Sequence, residues 1–350
     1  MNMLKIRNKY FSLLFNKRSI FVLTIALILL ISSFVVSLTL GDRYISIPKV
    51  LSVIFGEGEK IDELFIQAFR MPRIIIAIFA GISLAIAGAI LQGLVRNPLA
   101  SPDILGITGG AGAAVVLFLA IFSNDRTNQL TVSIKWLPLA AFIGAIISLL
   151  FVYGFAYKNG ELRPLRLVLV GVGFSALAQA TTSFFMIIGP IFRATEANMW
   201  LTGSVYGANW EQVKILTVWT FIFIVLALIF IRHINTQQLG DDVSTSLGVQ
   251  VEKNRLILLF ISTALVAGAV AFAGAIAFVG LIAPHIARKL VGASYGALIP
   301  LSGIIGAIMV LAADTIGRTA FSPIQIPAGV FTAVIGAPYF IYLLFKTGKR

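Results

Sequence analysis

Long runs of apolar residues, separated by short stretches rich in charge, glycine or proline, cover most of this chain. An α-helix needs about 20 apolar residues to cross the hydrocarbon core of a bilayer. Most runs are near that length, but the eighth is short and must therefore pack against other protein. The pattern predicts about ten transmembrane helices, at residues 19–40, 72–95, 104–123, 136–157, 166–189, 213–232, 256–274, 276–287, 297–313 and 327–345.

The composition agrees with this pattern. Of the 350 residues, 59% are hydrophobic and 12% are charged, whereas roughly 25% of the residues of a soluble domain are charged. A soluble enzyme and a disordered chain are therefore excluded, and we expect an all-α polytopic membrane protein, with residues 1–350 forming a single transmembrane domain. The basic amino end resembles a signal peptide, but the run behind it can span a bilayer and lacks a small-x-small cleavage site, so we expect it to be retained as the first helix.

The net charge of +13 would suggest a nucleic-acid partner in a soluble protein. In a membrane protein, however, lysine and arginine collect in cytoplasmic loops. An even number of spans places both termini on one side, and most of the basic residues fall on that side. Both termini are therefore expected in the cytoplasm, and the charge requires no nucleic acid. The chain has no cysteine, which excludes disulfides and thiolate metal sites.

Two arginines flank the outer start of the second predicted span, in the sequence Arg70-Met-Pro-Arg73. They share one helix face because they are three residues apart, and Arg318 adds a third cation at the outer end of the ninth span. Snorkelling of long side chains at the membrane interface would explain such cations. A rigid group of guanidinium ions would equally suit carboxylates on a partner protein. Asp314 is expected to pair with Arg318, four residues further along the helix.

The largest polar interruption is a predicted cytoplasmic segment at about residues 233–255. A solvated linker is one explanation, but the part from Leu239 to Val251 is too apolar for it. Two Leu-Gly steps bracket a short, partly apolar stretch, which predicts one or two short helices lying across the membrane face. An exposed apolar patch on such a helix usually marks a contact with a partner.

Enzymatic alternatives have little support. The sequence from Gly292 to Gly296 matches a hydrolase nucleophile elbow around Ser294, but that motif needs a preceding strand. The two histidines, His233 and His285, have no evident orienting carboxylate and are too few to hold a metal ion. No phosphate-binding loop of the Gly-x-x-x-x-Gly-Lys-Ser/Thr type is present. An intramembrane serine hydrolase is therefore the weakest hypothesis.

The energy for transport is expected to come from outside the chain. Ion-driven carriers usually place ionisable residues in the middle of the membrane, whereas the acidic residues here fall at the ends of spans and in loops. A proton- or sodium-coupled carrier stays a second, disfavoured hypothesis.

From about Leu40 to Lys346 the chain resembles the FecCD-type permeases of bacterial ABC importers for iron–siderophores, haem and cobalamin. The resemblance is carried by motifs along the whole chain: Arg70–Arg73, Gly81–Pro102 with Leu105-Gly106, Leu239–Arg255, Gly274–Arg288, Ala313–Arg318 and Pro327–Pro338.

This resemblance implies a cobalamin-importer-like fold of ten helices in the bacterial cytoplasmic membrane. It implies four kinds of partner: a second permease subunit (identical or paralogous), two cytoplasmic ATPase subunits, an external substrate-binding protein, and an iron(III)–siderophore as cargo, with haem or cobalamin as alternatives. The permease itself is then not an enzyme and binds no cofactor, since ATP and Mg²⁺ belong to the ATPase subunits.

The resemblance also implies roles for individual residues. Those that would dock the binding protein are Arg70, Arg73 and Arg318. Those that would contact the ATPase are Leu239, Gly240, Asp241, Asp242, Val243, Leu247, Gly248 and Val249. Those that resemble the cytoplasmic gate region, between the fourth and fifth spans, are Arg163, Pro164 and Leu165.

Overall fold

The structure is a computed structural model that describes residues 3–7, 12–41, 43–103, 105–124, 129–158, 161–162, 164–189 and 191–347. Its helices are α1 (Lys17–Thr39), α2 (Ile47–Ile54), α3 (Lys60–Glu63), α4 (Met71–Val95), α5 (Ile107–Ile121), α6 (Leu137–Ala156), α7 (Pro164–Ile188), α8 (Ile191–Thr202), α9 (Trp210–Ile229), α10 (Ile231–Gln237), α11 (Asp241–Ser246), α12 (Val251–Ala273), α13 (Val279–Val291), α14 (Tyr295–Thr319) and α15 (Ala328–Thr347). A π-helical turn, Leu64–Arg70, joins α3 to α4, and a 3₁₀ turn, Ile134–Trp136, precedes α6.

In the part of the chain that the structure describes, strands form three short antiparallel hairpins: β1 (Met3–Arg7) with β2 (Ser12–Asn16), β3 (Ser123–Asn124) with β4 (Gln129–Leu130), and β5 (Tyr157–Lys158) with β6 (Glu161–Leu162). In the first hairpin Met3 is opposite Asn16 and Arg7 is opposite Ser12. The all-α fold class is confirmed, since the hairpins lie between or before the helices.

Each of the ten predicted spans corresponds to one helix. Within the described ranges, eight helical segments are long and apolar enough to cross a membrane. The other two predicted spans correspond to α5, with 15 residues, and α13, with 13 residues. Apolar runs did not predict α2 and α8, because both helices have too few residues for a membrane span and α8 itself carries charged residues.

The centre of the bundle is formed by α4, α12 and α14, whose residues are mostly buried. Glycine makes this packing possible. A Cβ atom at Gly88 of α4 would lie 1.7 Å from the carbonyl oxygen of Gly280 in α13, and one at Gly81 would lie 2.3 Å from that of Gly306 in α14. Lipid supplies no hydrophobic force between helices, so backbones that approach this closely maximise the van der Waals contact available.

The two short helices, α5 and α13, begin level with the middle of α4. Gly280 packs against Pro102 and against the carbonyl oxygen of Leu84, and Leu84 lies near the midpoint of α4. The chain enters the helices through left-handed residues, Gly106 before α5 and Phe278 before α13, with φ of 74° and 66°. Residues 102, 103, 105, 106 and 274–278 are therefore non-helical backbone at membrane depth, which is tolerated only where protein covers it or water reaches it.

The contact between Gly88 and Gly280 gives a test of this packing. We expect Gly88→Leu to force α4 and α13 apart and to lower the stability of the folded protein by about 3 kcal/mol or more, the upper part of the range for overpacked cores. Thermal unfolding in detergent, followed by tryptophan fluorescence, measures the change. Gly154→Leu is the matched control, because nothing lies within 4 Å of a Cβ atom at Gly154. Equal melting temperatures for the two variants would contradict the packing.

Candidate functional site

The three arginines predicted at the outer face come together around the carboxyl end of α1. Arg70 and Arg73 lie at the start of α4, and Arg318 lies in the last turn of α14. All three line one recess of about 430 Å³. The rim of the recess includes Phe69 and Tyr206, whose side chains are exposed.

Arg70 and Arg318 bind the last carbonyl groups of α1. Arg70 Nη1 donates to the carbonyl oxygens of Leu38 (2.5 Å) and Thr39 (3.3 Å), and Arg318 Nη1 donates to that of Leu40 (3.0 Å). The last carbonyls of a helix lack intrahelical partners and carry partial negative charge, so cations are favoured there. Each arginine is only 6% exposed. They are thus part of the protein core at this end and do not extend into the interface as snorkelling side chains would.

Arg73 makes the main ion pair with Asp314. Its Nε is 2.9 and 3.1 Å from the two carboxylate oxygens, its Nη2 is 2.7 Å from Oδ1, and its Nη1 donates to Gln325 Oε1 at 2.6 Å. Arg318 Nε is 3.7 Å from Asp314 Oδ2. The sequence predicted Arg318 as the partner of Asp314, because a sequence shows which residues are four apart on one helix. The structure instead gives the hydrogen-bonded pair to Arg73, which approaches from α4 in the geometry that a bidentate pair requires.

The predicted cytoplasmic helices are α10 and α11. Gly240 precedes α11 and Gly248 follows it, with φ of 109° and 77°, a region that glycine adopts freely. The two Leu-Gly steps therefore mark the limits of α11. Leu239 lies before α11, Val243 lies within it and Leu247 follows it. Their exposed fractions are 63%, 46% and 63%, and this group of exposed apolar side chains is called the apolar stripe. Asp242 and Gly248 are also exposed, and Val249 is half-buried.

Asp241, the first residue of α11, is held by two arginines. Arg255 Nη2 is 3.1 Å from each carboxylate oxygen, and Arg96 Nη2 also bonds to Oδ1. Partial burial acts to raise the pKa of Asp241, but the positive charges of Arg255 and Arg96 outweigh it and hold the pKa below its ordinary range. Arg96 further donates from Nε to the carbonyl oxygen of Gln237 at 2.8 Å. Both short helices are thereby attached to the ends of α4 and α12.

Of the predicted gate residues, Arg163 lies outside the described residues, Pro164 is the first residue of α7, and Leu165 is 72% exposed. Leu162 precedes them, and both its backbone N–H and its carbonyl oxygen are hydrogen-bonded to side chains of α12. Its N–H donates to Glu252 Oε2 at 3.0 Å, and its carbonyl oxygen accepts from Arg255 Nη1 at 2.8 Å. Sequence reasoning missed Glu252 and Arg255 as site residues; their spacing of three residues at the start of α12 was the only signal.

The structure corrects one further expectation, that no carboxylate lies at mid-membrane level. Asp103 is in the non-helical segment that packs near the middle of α4. Its Oδ1 accepts from Thr108 Oγ1 at 2.9 Å, the backbone N–H of Phe278 interacts with the carboxylate, and its carbonyl oxygen accepts from Ser175 Oγ of α7 at 3.2 Å. Apolar runs place this residue at the cytoplasmic end of a span, because they do not reveal that the chain turns back into the membrane before α5.

The motif around Ser294 has no elbow geometry. It lies between α13 and α14, so a helix precedes it where the hydrolase motif needs a strand.

His285 faces the ring of Tyr339, with centroids 5.9 Å apart. Within the described ranges, no group of three or more His, Cys, Asp or Glu side chains could hold a metal ion.

Comparison with known proteins agrees with the motifs. A sequence model of the FecCD transport family matches residues 28–346. The siderophore transport system permease protein YfhA of Bacillus subtilis is 56% identical over 89% of this chain and 91% of its own length. The iron(3+)-hydroxamate import system permease protein FhuG of the same organism is 42% identical over 94% of this chain and 98% of its own length.

A third relative is the achromobactin transport system permease protein CbrC of Dickeya dadantii, 41% identical over 97% of this chain and 95% of its own length. A solved structure described as a metal-chelate type ABC transporter in an inward-facing conformation superposes with a TM-score of 0.82. The two sequences are 31% identical, and the match covers 93% of this chain and 99% of the chain in the solved structure. The resemblance inferred from the motifs is confirmed: the chain belongs to the FecCD transport family and is a multi-pass membrane permease subunit of an ABC transporter.

Proposed function

We propose that this chain is the permease of a binding-protein-dependent importer that carries an iron(III)–siderophore across the bacterial cytoplasmic membrane. The observation that carries the proposal is the presence of two dissimilar surfaces at opposite ends of one helix bundle, a basic recess outside and an apolar stripe inside. The cargo is supported by the relatives, which are named for siderophore, ferric-hydroxamate and achromobactin transport.

The outer recess suits acidic side chains of a substrate-binding protein. Arg70, Arg73 and Arg318 bring three positive charges to it, and Asp314 supplies one negative charge. Arg43, also in the lining, is paired with Asp62 at 3.2 Å. The positive excess can steer an acidic partner and fix its orientation. Because two of the three arginines hold the end of α1, docking there would act directly on the outer ends of α1, α4 and α14.

The cytoplasmic stripe of Leu239, Val243 and Leu247 suits a groove on an ATPase subunit. These residues are too exposed to be core residues of this chain. ATP and Mg²⁺ are then bound by two ATPase subunits and not by the permease. ATP-driven closure of the ATPase pair would move α11, because binding can shift a conformational equilibrium only where it favours one state over the other.

A second permease subunit, identical or paralogous, is expected against α7 and α15, two of the least buried spans. The non-helical segments at membrane depth lie between these two helices, since Asp103 contacts Ser175 of α7 and Phe278 packs against Gly336 of α15. Asp103 and Phe278 are only half-buried within one subunit. Exposure of irregular backbone to lipid is too unfavourable, so a second subunit or an aqueous pathway must cover this side.

Uptake of radiolabelled iron tests the cargo. Cells that lack this gene, and the same cells complemented with it, would be supplied with iron on hydroxamate, catecholate and carboxylate siderophores. We expect the deletion to abolish uptake from one siderophore class and the intact chain to restore it. Unchanged uptake across the panel would reject the iron cargo and leave haem or cobalamin as the cargo of the same architecture.

The docking role predicts an effect of Gln325→Glu. This change adds a negative charge beside Arg73 while keeping an oxygen that can accept its hydrogen bond. We expect the affinity for the loaded binding protein to fall about tenfold, roughly 1.4 kcal/mol, with a weaker dependence on salt. Surface plasmon resonance on permease in nanodiscs at low and high ionic strength measures both. Gln212→Glu is the control, because it makes the same charge change at the outer end of α9, at a residue that does not line the recess. Identical binding by the two variants would refute docking at the recess.

The coupling role predicts that Leu247→Asp prevents copurification of the ATPase subunits, because it places a charge in the middle of an apolar contact. Leu247→Met, which keeps the apolar surface, should copurify them normally. The ratio of ATPase to permease after affinity purification in mild detergent is the readout. A normal ratio for Leu247→Asp would rule out the stripe as the ATPase contact.

A further inference from the structure

Arg255 links three separate cytoplasmic parts of the chain. It is the fifth residue of α12, and its side chain is 4% exposed. Nη2 binds both carboxylate oxygens of Asp241 in α11, while Nη1 binds the carbonyl oxygen of Leu162 at 2.8 Å and Glu252 Oε1 at 2.9 Å. One guanidinium group therefore contacts the start of α11, the start of α12 and the residue before the predicted gate.

The connection to the gate region is made through the backbone. Both polar backbone groups of Leu162 bind the Glu252–Arg255 pair, and the side chain of Leu162 is 1% exposed. Only one residue separates Leu162 from Pro164, where α7 begins. Two side chains of α12 thus hold the backbone two residues before the start of α7.

The connection to α11 is made through Asp241, which is half-exposed and bound by Arg96 as well. A recess of about 700 Å³ adjoins these groups and is lined by Asp241, Thr245, Val249, Leu162 and Glu252 among others. This space leaves α11 room to move relative to α12, whereas the charge-assisted bonds of Arg255 would carry any such movement to Leu162.

These bonds stabilise the fold, because Arg255 is buried and the loss of one partner of a buried charge is costly. They also connect segments for which different roles are proposed. Here the bonds are divided between the helix proposed to contact the ATPase and the segment that leads into the gate.

We propose that Arg255 is a positioning residue that transmits movement of α11 to Leu162 and to the inner end of α7, where Pro164 and Leu165 belong to the predicted gate region. When the ATPase subunits displace α11, Asp241 draws the guanidinium group with it, and the bond to the Leu162 carbonyl moves the inner end of α7. This inference rests on the proposed contact of α11 with an ATPase, and it assigns the transmission to a residue outside that contact.

Arg255→Lys is the principal test. Lysine keeps the charge but lacks the fork that can bind Asp241 and Leu162 at once. The chain has no cysteine, so Leu165→Cys places a single thiol in the permease at the predicted gate. The complete transporter, with a cysteine-free ATPase, would be placed in proteoliposomes. We would measure how fast a membrane-impermeant maleimide labels the thiol at position 165, without nucleotide and with a non-hydrolysable ATP analogue. Siderophore uptake per ATP hydrolysed would be measured in parallel.

In the native background we expect the labelling rate to change with nucleotide. Arg255→Lys should remove most of that change and lower uptake per ATP about tenfold, within the range of mutations that alter coupling, while the ATPase subunits still copurify. Arg232→Lys, the same substitution at an exposed position of α10, should behave like the native chain. Asp241→Asn weakens the link to α11 and leaves the Leu162 bonds intact, so it should reproduce the uncoupling even if Arg255→Lys does not fold. Because Asp241 is among the residues implied to contact the ATPase, its ATPase subunits must still copurify in this test.

Two results would overturn the inference. If Arg255→Lys or Asp241→Asn folds and retains the nucleotide-dependent change and the uptake per ATP of Arg232→Lys, Arg255 does not transmit the movement, although the proposed function would stand. If the ATPase subunits fail to copurify with the native chain, the proposed function and this inference both fail.

Discussion

The close approach of α4 to α13 and α14 is the constraint on which the other features of this protein depend. Backbone meets backbone at Gly88 and Gly280 and at Gly81 and Gly306, with no space for a side chain. This packing sets the relative heights of the helices. It brings Arg73 at the outer end of α4 to Asp314 of α14, and it places Arg96, just beyond the inner end of α4, within reach of α11. One central helix thereby joins the two surfaces proposed to bind partners.

Arginine side chains connect different parts of the chain at both the outer and the cytoplasmic end of the helix bundle. Outside, Arg70 and Arg318 satisfy the final carbonyl groups of α1, which have no partners within their own helix. Inside, Arg96 and Arg255 bind backbone carbonyls of Gln237 and Leu162 and share the carboxylate of Asp241. In both places a planar group with several donors connects elements that are distant in the sequence, which the single point charge of lysine would do less well.

The number, order and type of the spanning helices could be predicted from the sequence, because a run of apolar residues has one stable arrangement in lipid. The short helices of the coupling segment were also predictable, since glycine marks the ends of α11. The turns inside the membrane before α5 and α13 could not be predicted, because hydropathy does not show how deep in the membrane a residue lies. The hydrogen-bonded partner of Asp314 and the partners of Leu162 come from helices distant in the sequence. One sequence shows spacing within a helix but not contacts between helices.

The glycine contacts of α4 also restrict how the bundle can move. A slide of α4 along α13 by one turn, about 5.4 Å, would bring Leu84 or Gln92 to the place where only the hydrogen of Gly88 fits. The same slide along α14 would bring Ala77 or Ala85 against Gly306. A piston-like displacement within this centre is therefore sterically forbidden. Tilting about the glycine contacts preserves them, so the spans at the margin, α7 and α15, can change their angle while the centre acts as a fixed pivot.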